Sequence, residues 1–172
     1  MDEIADFLIN NGNIKFGKFT LSSGATSDFY VDVKSALLNP YFLKIVSKRA
    51  AQLITGDKVA AVELGAVPFG VAVSIETGKN LIIVRKEKKE YGLEKMVEGE
   101  LVYGEVITFV EDVTTTGSTI LKAVTRLKEK GVRTDRVVVV VDRQEGAREN
   151  LEQEGIELLS LVNIKNIKKD SI

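Results

Sequence analysis

The chain has 172 residues, 44% hydrophobic and 28% charged, with a formal net charge of −1; this fits one domain with a buried core and excludes a global positive field that would draw in nucleic acid. It contains neither Cys nor His, which excludes a disulfide framework, thiolate or imidazole metal sites, and histidine as a catalytic base. No apolar stretch is long enough to span a bilayer and no basic-then-apolar leader opens the chain, so the expected setting is the cytoplasm, with neither membrane nor nucleic acid as partner.

In chain order, residues 2–10 read as a short amphipathic helix with Ile4, Phe7 and Leu8 on one face. Residues 16–33, rich in Gly, Ser and aromatics, predict short strands and turns. Asn39 and Pro40 form a cap and first-position pair that starts a helix to about Ile54. A strand follows over residues 58–64, then a turn over 65–70 that opens a helix ending near Gly78, then a strand over 80–84. Residues 85–99 are charged, carry two glycines and have no apolar period, which predicts a mobile loop. A strand over 104–110 and a helix over 118–130 come next, with Ile120, Leu121, Val124 and Leu127 facing inward. The β-branched run over 136–141 has the character of a buried parallel strand. A helix over 146–154 and a strand over 156–162 complete the pattern. Strands alternating with helices imply an α/β fold with a parallel sheet and right-handed crossovers.

Ligands of open parallel sheets sit beyond the carboxyl ends of the strands, and three such ends carry unusual residues. At the first, Glu111 and Asp112 precede Val113-Thr114-Thr115-Thr116-Gly117-Ser118. Free N–H groups, hydroxyls and a helix N-terminus suit a phosphate monoester, while the carboxylates suit sugar hydroxyls. The plainer alternative is a solvated acid pair followed by Thr or Ser helix caps. There is no G-x-x-x-x-G-K-[ST] and no G-x-G in the chain, so neither a Walker loop nor a dinucleotide fingerprint is present. The second place is Arg85-Lys86-Glu87-Lys88-Lys89-Glu90-Tyr91-Gly92, whose cations suit a pyrophosphate or form a solvated charge run. The third is Asp142-Arg143-Gln144-Glu145, where Arg143 could grip a carboxylate or make a loop salt bridge to Asp142 or Glu145.

These three segments, in this order, resemble the type I phosphoribosyltransferases, and among them the orotate family. VEDVTTTGST (residues 110–119) is similar to the superfamily's binding motif for phosphoribosyl pyrophosphate. FGKFTLSSGATSDFYVD (16–32), VRKEKKEYG (84–92) and DRQEGA (142–147) resemble the hood, the catalytic loop and the orotate-side strand end of the orotate enzymes. ELGAVPFG (63–70) falls where the family has its pyrophosphate-side loop, and the likeness covers residues 16–162.

The resemblance implies a central parallel sheet flanked by helices in a single domain over 1–172, with a small hood from roughly residues 1–35 plus the C-terminal segment. It implies transfer of a 5-phosphoribosyl group from phosphoribosyl pyrophosphate to orotate, with release of pyrophosphate, in pyrimidine biosynthesis. Mg²⁺ would be held mainly by the substrate, with no protein metal site. The working unit would be a homodimer whose loop reaches the neighbouring subunit's site. Carried over by position, Glu111 and Asp112 would hold the ribose hydroxyls, and Val113, Thr114, Thr115, Thr116, Gly117, Ser118 and Thr119 would wrap the 5′-phosphate. Thr115 would also lie near the base and Arg143 would pair with the orotate carboxylate. Arg85, Lys86, Lys89 and Tyr91 would contact the pyrophosphate, with Lys89 and Asp112 as the catalytic pair. The chain departs from the family at Tyr91, where His is common, and at Ser22, where some bacterial members have Lys. A phosphoribosyltransferase for another base and a non-catalytic sensor of phosphoribosyl pyrophosphate are the rival readings.

Overall fold

A computed structural model describes residues 2–20, 26–86, 96–164 and 167. Helix α1 (Glu3–Asn10) starts where Asp2 accepts a hydrogen bond from the Ile4 N–H at 3.0 Å. Strands β1 (Ile14–Thr20) and β2 (Thr26–Val31) form a separate antiparallel pair. A short helix absent from the sequence expectation, α2 (Val33–Leu37), follows; Asp32 caps it by accepting from the Ser35 N–H. Helix α3 (Pro40–Ala51) begins at the expected Asn39 cap and ends three residues before Ile54.

The remaining elements build the main sheet. In chain order they are β3 (Lys58–Val62), α4 (Val67–Thr77), β4 (Leu81–Val84), β5 (Val97–Glu98), β6 (Val106–Thr114), α5 (Ser118–Lys128), β7 (Arg133–Asp142), α6 (Ala147–Glu152) and β8 (Glu157–Asn163). The six strands lie in the order β5-β4-β3-β6-β7-β8. All neighbours are parallel except β4 and β5, which run antiparallel. The expected central parallel sheet is present, with one antiparallel pair at its edge; the loop expected over residues 85–99 is corrected, because it contains β5. The Arg85 N–H donates to the Met96 carbonyl at 2.9 Å, bringing the chain back to pair with β4 at the sheet edge.

The pleat sorts the core into two layers. Val59 and Ala61 of β3, Val110 of β6 and Val138 and Val140 of β7 face α1 to α4. Ala60, Val62, Ile107, Phe109, Val137 and Val139, alternate residues of the same strands, face α5 and α6. Burial on both faces explains the continuous β-branched run of β7. The chain moves outward from β3 to β4 on one side, and from β6 to β7 and β8 on the other. With the usual crossover hand, the connecting helices then fall on opposite faces, leaving a topological switch point between β3 and β6. Among the described residues no helix is long and apolar enough to cross a membrane.

Phe109 sits on a central strand with no exposed surface. Phe109→Ala is expected to lower unfolding stability by about 3–5 kcal/mol, whereas Leu38→Ala, at a residue 76% exposed, should change it by no more than about 0.5 kcal/mol. Urea unfolding of both variants checks this two-layer core, and equal losses would contradict it.

Candidate active site

A cleft of about 440 Å³ opens beside the switch point. Strand β6 forms its floor and runs four residues further than the sequence suggested, so Glu111, Asp112, Val113 and Thr114 lie within the strand rather than after it. The carboxylates are therefore buried, 8% and 7% exposed. Backbone donors supply part of the compensation: the Asp112 N–H donates to Glu111 Oε1 at 3.2 Å and the Val113 N–H to Asp112 Oδ1 at 2.9 Å. Burial, followed by the hydrogen bond and charge of Asp112, pushes the Glu111 carboxyl well above the ordinary carboxylate range; its own backbone hydrogen bond and the Lys86 ammonium pull the other way. A buried carboxyl with its pKa raised in this way, at the wall of a cleft, marks Glu111 as a candidate functional group.

Beyond Thr114 the chain turns into α5. The N-cap is Gly117 at φ 76°, a left-handed conformation that favours glycine, and no side chain caps the helix. The Thr or Ser capping alternative is therefore not what the turn uses. The hydroxyls of Thr115, Ser118 and Thr119 remain at the cleft surface, next to the uncapped N–H groups. Acid pair, hydroxyl turn and helix terminus follow one another along a single wall. The chemistry that fits is a sugar phosphate, its diol on the carboxylates and its phosphate in the turn.

The other expected residues fall in different places. Lys86 lines the cleft, and its N–H donates to Glu63 Oε1 at 3.2 Å. Arg85 does not reach the cleft: its guanidinium pairs with Glu98 at 2.9 Å and Glu63 at 3.8 Å. Thr116 is also outside the lining, its carbonyl accepting from Asn150 Nδ2 at 2.9 Å. Lys89 and Tyr91, like Gly92 and Ser22, lie outside the described residues.

Arg143 stands beside the cleft at the end of β7, joined to its floor where the Arg143 N–H donates to the Thr114 carbonyl at 3.1 Å. Its side chain is 12% exposed and pairs with Glu145 at 2.8 Å, the loop salt bridge that the sequence left open. It also donates to Ser27 Oγ at 3.3 Å and lies over the Phe29 ring, 4.8 Å from the centroid. Strand β2 therefore holds this arginine flat, with an aromatic face beside it, an arrangement suited to a planar anion.

Tyr30, Asp32 and Lys34 also line the cleft, and sequence reasoning missed them as site residues. They come from the β2–α2 segment, which the topology brings over the β6 floor. The Asp32-x-x-Ser35 spacing was the available signal, because it marks a helix start there.

Comparisons with known proteins agree with this chemistry. The phosphoribosyl transferase domain family matches residues 33–165. The orotate phosphoribosyltransferase of Methanocaldococcus jannaschii is 48% identical over 168 residues, covering 96% of this chain and 96% of that protein. That of Pyrococcus abyssi is 47% identical over 171 residues, covering 96% and 94%. The crystal structure of orotate phosphoribosyltransferase from Aeropyrum pernix matches with a TM-score of 0.85 at 30% identity, covering 98% of this chain and 97% of that one.

Glu111 links the site to stability. Its folded carboxyl holds a proton at pH values where the unfolded carboxyl has lost it. Its contribution to stability therefore falls as pH rises from the ordinary carboxylate range to the raised value. Glu111→Gln removes that loss, so the variant should melt above the parent at pH 8, and the gain should shrink towards pH 5. A thermal-melt series over this range checks the sign; a gain that grew on acidification would contradict it.

Proposed function

The chain belongs to the phosphoribosyltransferase family, and from that premise we propose that it transfers the 5-phosphoribosyl group of phosphoribosyl pyrophosphate to orotate, yielding orotidine 5′-phosphate and pyrophosphate for pyrimidine synthesis. The observation that carries this reading is the buried Glu111–Asp112 pair leading directly into the uncapped turn of α5. Diol acceptors and an anion cup at that spacing match a ribose 5-phosphate.

In this reading Glu111 and Asp112 accept the ribose hydroxyls, and the backbone and hydroxyls from Val113 through Thr115, Thr116, Gly117, Ser118 and Thr119 surround the 5′-phosphate. The C1–O bond to pyrophosphate breaks as a ring nitrogen of orotate bonds to C1, that nitrogen's proton leaving to pyrophosphate or solvent. The anomeric carbon gains oxocarbenium character, and the Asp112 carboxylate beside it favours that charge. Lys86 and Lys89 serve the departing pyrophosphate, with Arg85 and Tyr91 as further contacts. Arg143 takes the orotate carboxylate while Phe29 keeps the guanidinium flat. Because orotate is already an anion, a strong protein base is not required, in accord with a chain lacking histidine.

The donor chemistry of the cleft fits Mg²⁺ brought in on the substrate. The carboxylates lining it are those of Asp32, Glu111 and Asp112, and among the described residues no three acidic side chains converge into a cage. Mg²⁺ favours phosphate oxygens and retains water. When bound it would neutralise charge on the pyrophosphate, with the carboxylates acting on the ribose.

A single domain with a hood is supported by the separate β1–β2 pair and by the cleft position of Tyr30 and Asp32. A homodimer is supported by α4, which is apolar on both sides; sharing of sites between its subunits is the further part of this reading. Phe69 and Val73 face the core, while Val71 and Ile75, with Leu64 just before the helix, are exposed.

Orotate absorbance should fall when the protein, Mg²⁺ and phosphoribosyl pyrophosphate are mixed; turnover of a different base and not of orotate would refute the assignment. Arg143→Ala should raise the orotate KM by about 10- to 100-fold, the loss of one charge-assisted contact of about 1.5–3 kcal/mol, with little change for the sugar donor. At orotate concentrations well below the raised KM, where each variant alone turns over slowly, mixing Lys89→Ala and Arg143→Ala proteins should lift activity above that of either if sites are shared. Absence of recovery after verified subunit exchange would count against sharing.

A further inference from the structure

The leaving group is the most highly charged part of the proposed substrate, yet the described cations near the cleft serve it unequally. Arg85 is committed to Glu98 and Glu63. Arg143 is committed to Glu145 and the β2 strand. Lys86 stands at the end of β4. The remaining cation lining the cleft is Lys34, in the first turn of α2.

Three observations fix where Lys34 sits. Asp32, two residues earlier, uses one carboxylate oxygen to accept from the Ser35 N–H at 3.1 Å and the other to accept from the Ser35 hydroxyl at 2.7 Å. That carboxylate caps the helix and forms no ion pair with Lys34. The Lys34 stem passes over Gly65, in the loop after β3. A β-carbon placed on Gly65 would lie 2.7 Å from Lys34 Cε and 2.6 Å from Asp112 Oδ2. Only the bare glycine leaves room for the lysine stem and the carboxylate side by side. Finally, no acidic side chain among the described residues forms an ion pair with Lys34.

Lys34 thus lies at the junction of the β3 loop and the acid pair. The 5′-phosphate cup is on the other side of that pair, at the N-terminus of α5. A ribose held by both would direct its C1 substituent towards the Gly65 side. We propose that Lys34 binds the pyrophosphate at C1 and stabilises it as it leaves. This rests on the reading of the cleft as a phosphoribosyl pyrophosphate site. Its ammonium donates hydrogen bonds to the pyrophosphate oxygens and transfers no proton. As the C1–O bond breaks, the electron pair goes to the bridging oxygen, and the charge gathers beside a cation that forms no ion pair among the described residues. Gly65 is the companion requirement, since a side chain there would displace the stem.

Calorimetric titration with Mg²⁺ and three ligands separates the possibilities: ribose 5-phosphate, which lacks the leaving group; phosphoribosyl pyrophosphate; and pyrophosphate alone. For Lys34→Ala we expect unchanged affinity for ribose 5-phosphate, which also reports an intact fold. Affinity for both pyrophosphate ligands should drop about 10- to 100-fold, and Lys34→Arg should recover most of it. Equal losses for ribose 5-phosphate and phosphoribosyl pyrophosphate would overturn the proposal, as would parental affinity for pyrophosphate in Lys34→Ala or a loss confined to orotate. If the parent protein itself bound neither ribose 5-phosphate nor phosphoribosyl pyrophosphate, the reading of the cleft would fall, and this proposal with it.

Discussion

The constraint on which the site depends is the burial of two adjacent carboxylates at the carboxyl end of a central strand. In an apolar interior a carboxylate loses several kcal/mol of hydration. Adjacent carboxylates on a strand ordinarily point to opposite faces, but here Glu111 and Asp112 both border the same cleft. Nearby structure offsets part of this cost. Backbone N–H groups of β6 donate to each side chain, Lys86 lies close enough to influence Glu111, and Gly65 allows close approach beside Asp112. Ribose hydroxyls donating to the two carboxylates, as in the proposed complex, would offset more of it. A pair of carboxylates kept under such conditions is better explained by use than by stability.

The fold places this pair where it can be used. Because the connections leave β3 and β6 in opposite directions, their helices cover opposite faces and neither α4 nor α5 closes the crevice between the two strand ends. Two core layers keep β6 fixed on both sides, with Val110 in one layer and Phe109 in the other. The strand thus acts as a rigid mount for the acids. The more variable chemistry comes from what is laid over it: Arg143 from the neighbouring strand end, and Tyr30, Asp32 and Lys34 from the amino-terminal segment.

Much of this was legible in the sequence, and the exceptions have physical causes. The Asn39-Pro40 start of α3 is written in local chemistry, as is the valine run of β7. The acid–hydroxyl motif signalled a sugar phosphate because its residues are consecutive. The end of β6 was misplaced because charge normally ends an apolar strand, whereas here the strand carries its charges inward. Strand β5 is only two residues in a charged stretch, and its conformation comes from pairing with β4 rather than from propensity. Helix α2 is too short to display a period. Lys34 and Tyr30 could not be seen as neighbours of Asp112, since proximity across about 80 residues of chain is set by topology. That Arg85 turns away to Glu98 likewise depends on β5 folding back.

The glycine that begins α5 has a consequence for the energetics of the whole domain. Most helices carry their own N-cap as a Ser, Thr, Asp or Asn side chain, and so are complete when folded. Helix α5 has left that position to a residue with no side chain. A phosphate seated in the turn would make the hydrogen bonds that a cap makes, so the substrate would act as the missing part of the helix. Ligand binding and helix completion would then be one equilibrium: the free protein holds its terminal N–H groups in reserve, and the bound protein gains stability with ligand concentration as RT ln(1 + [L]/Kd). Local order at the start of α5 would follow the supply of sugar phosphate.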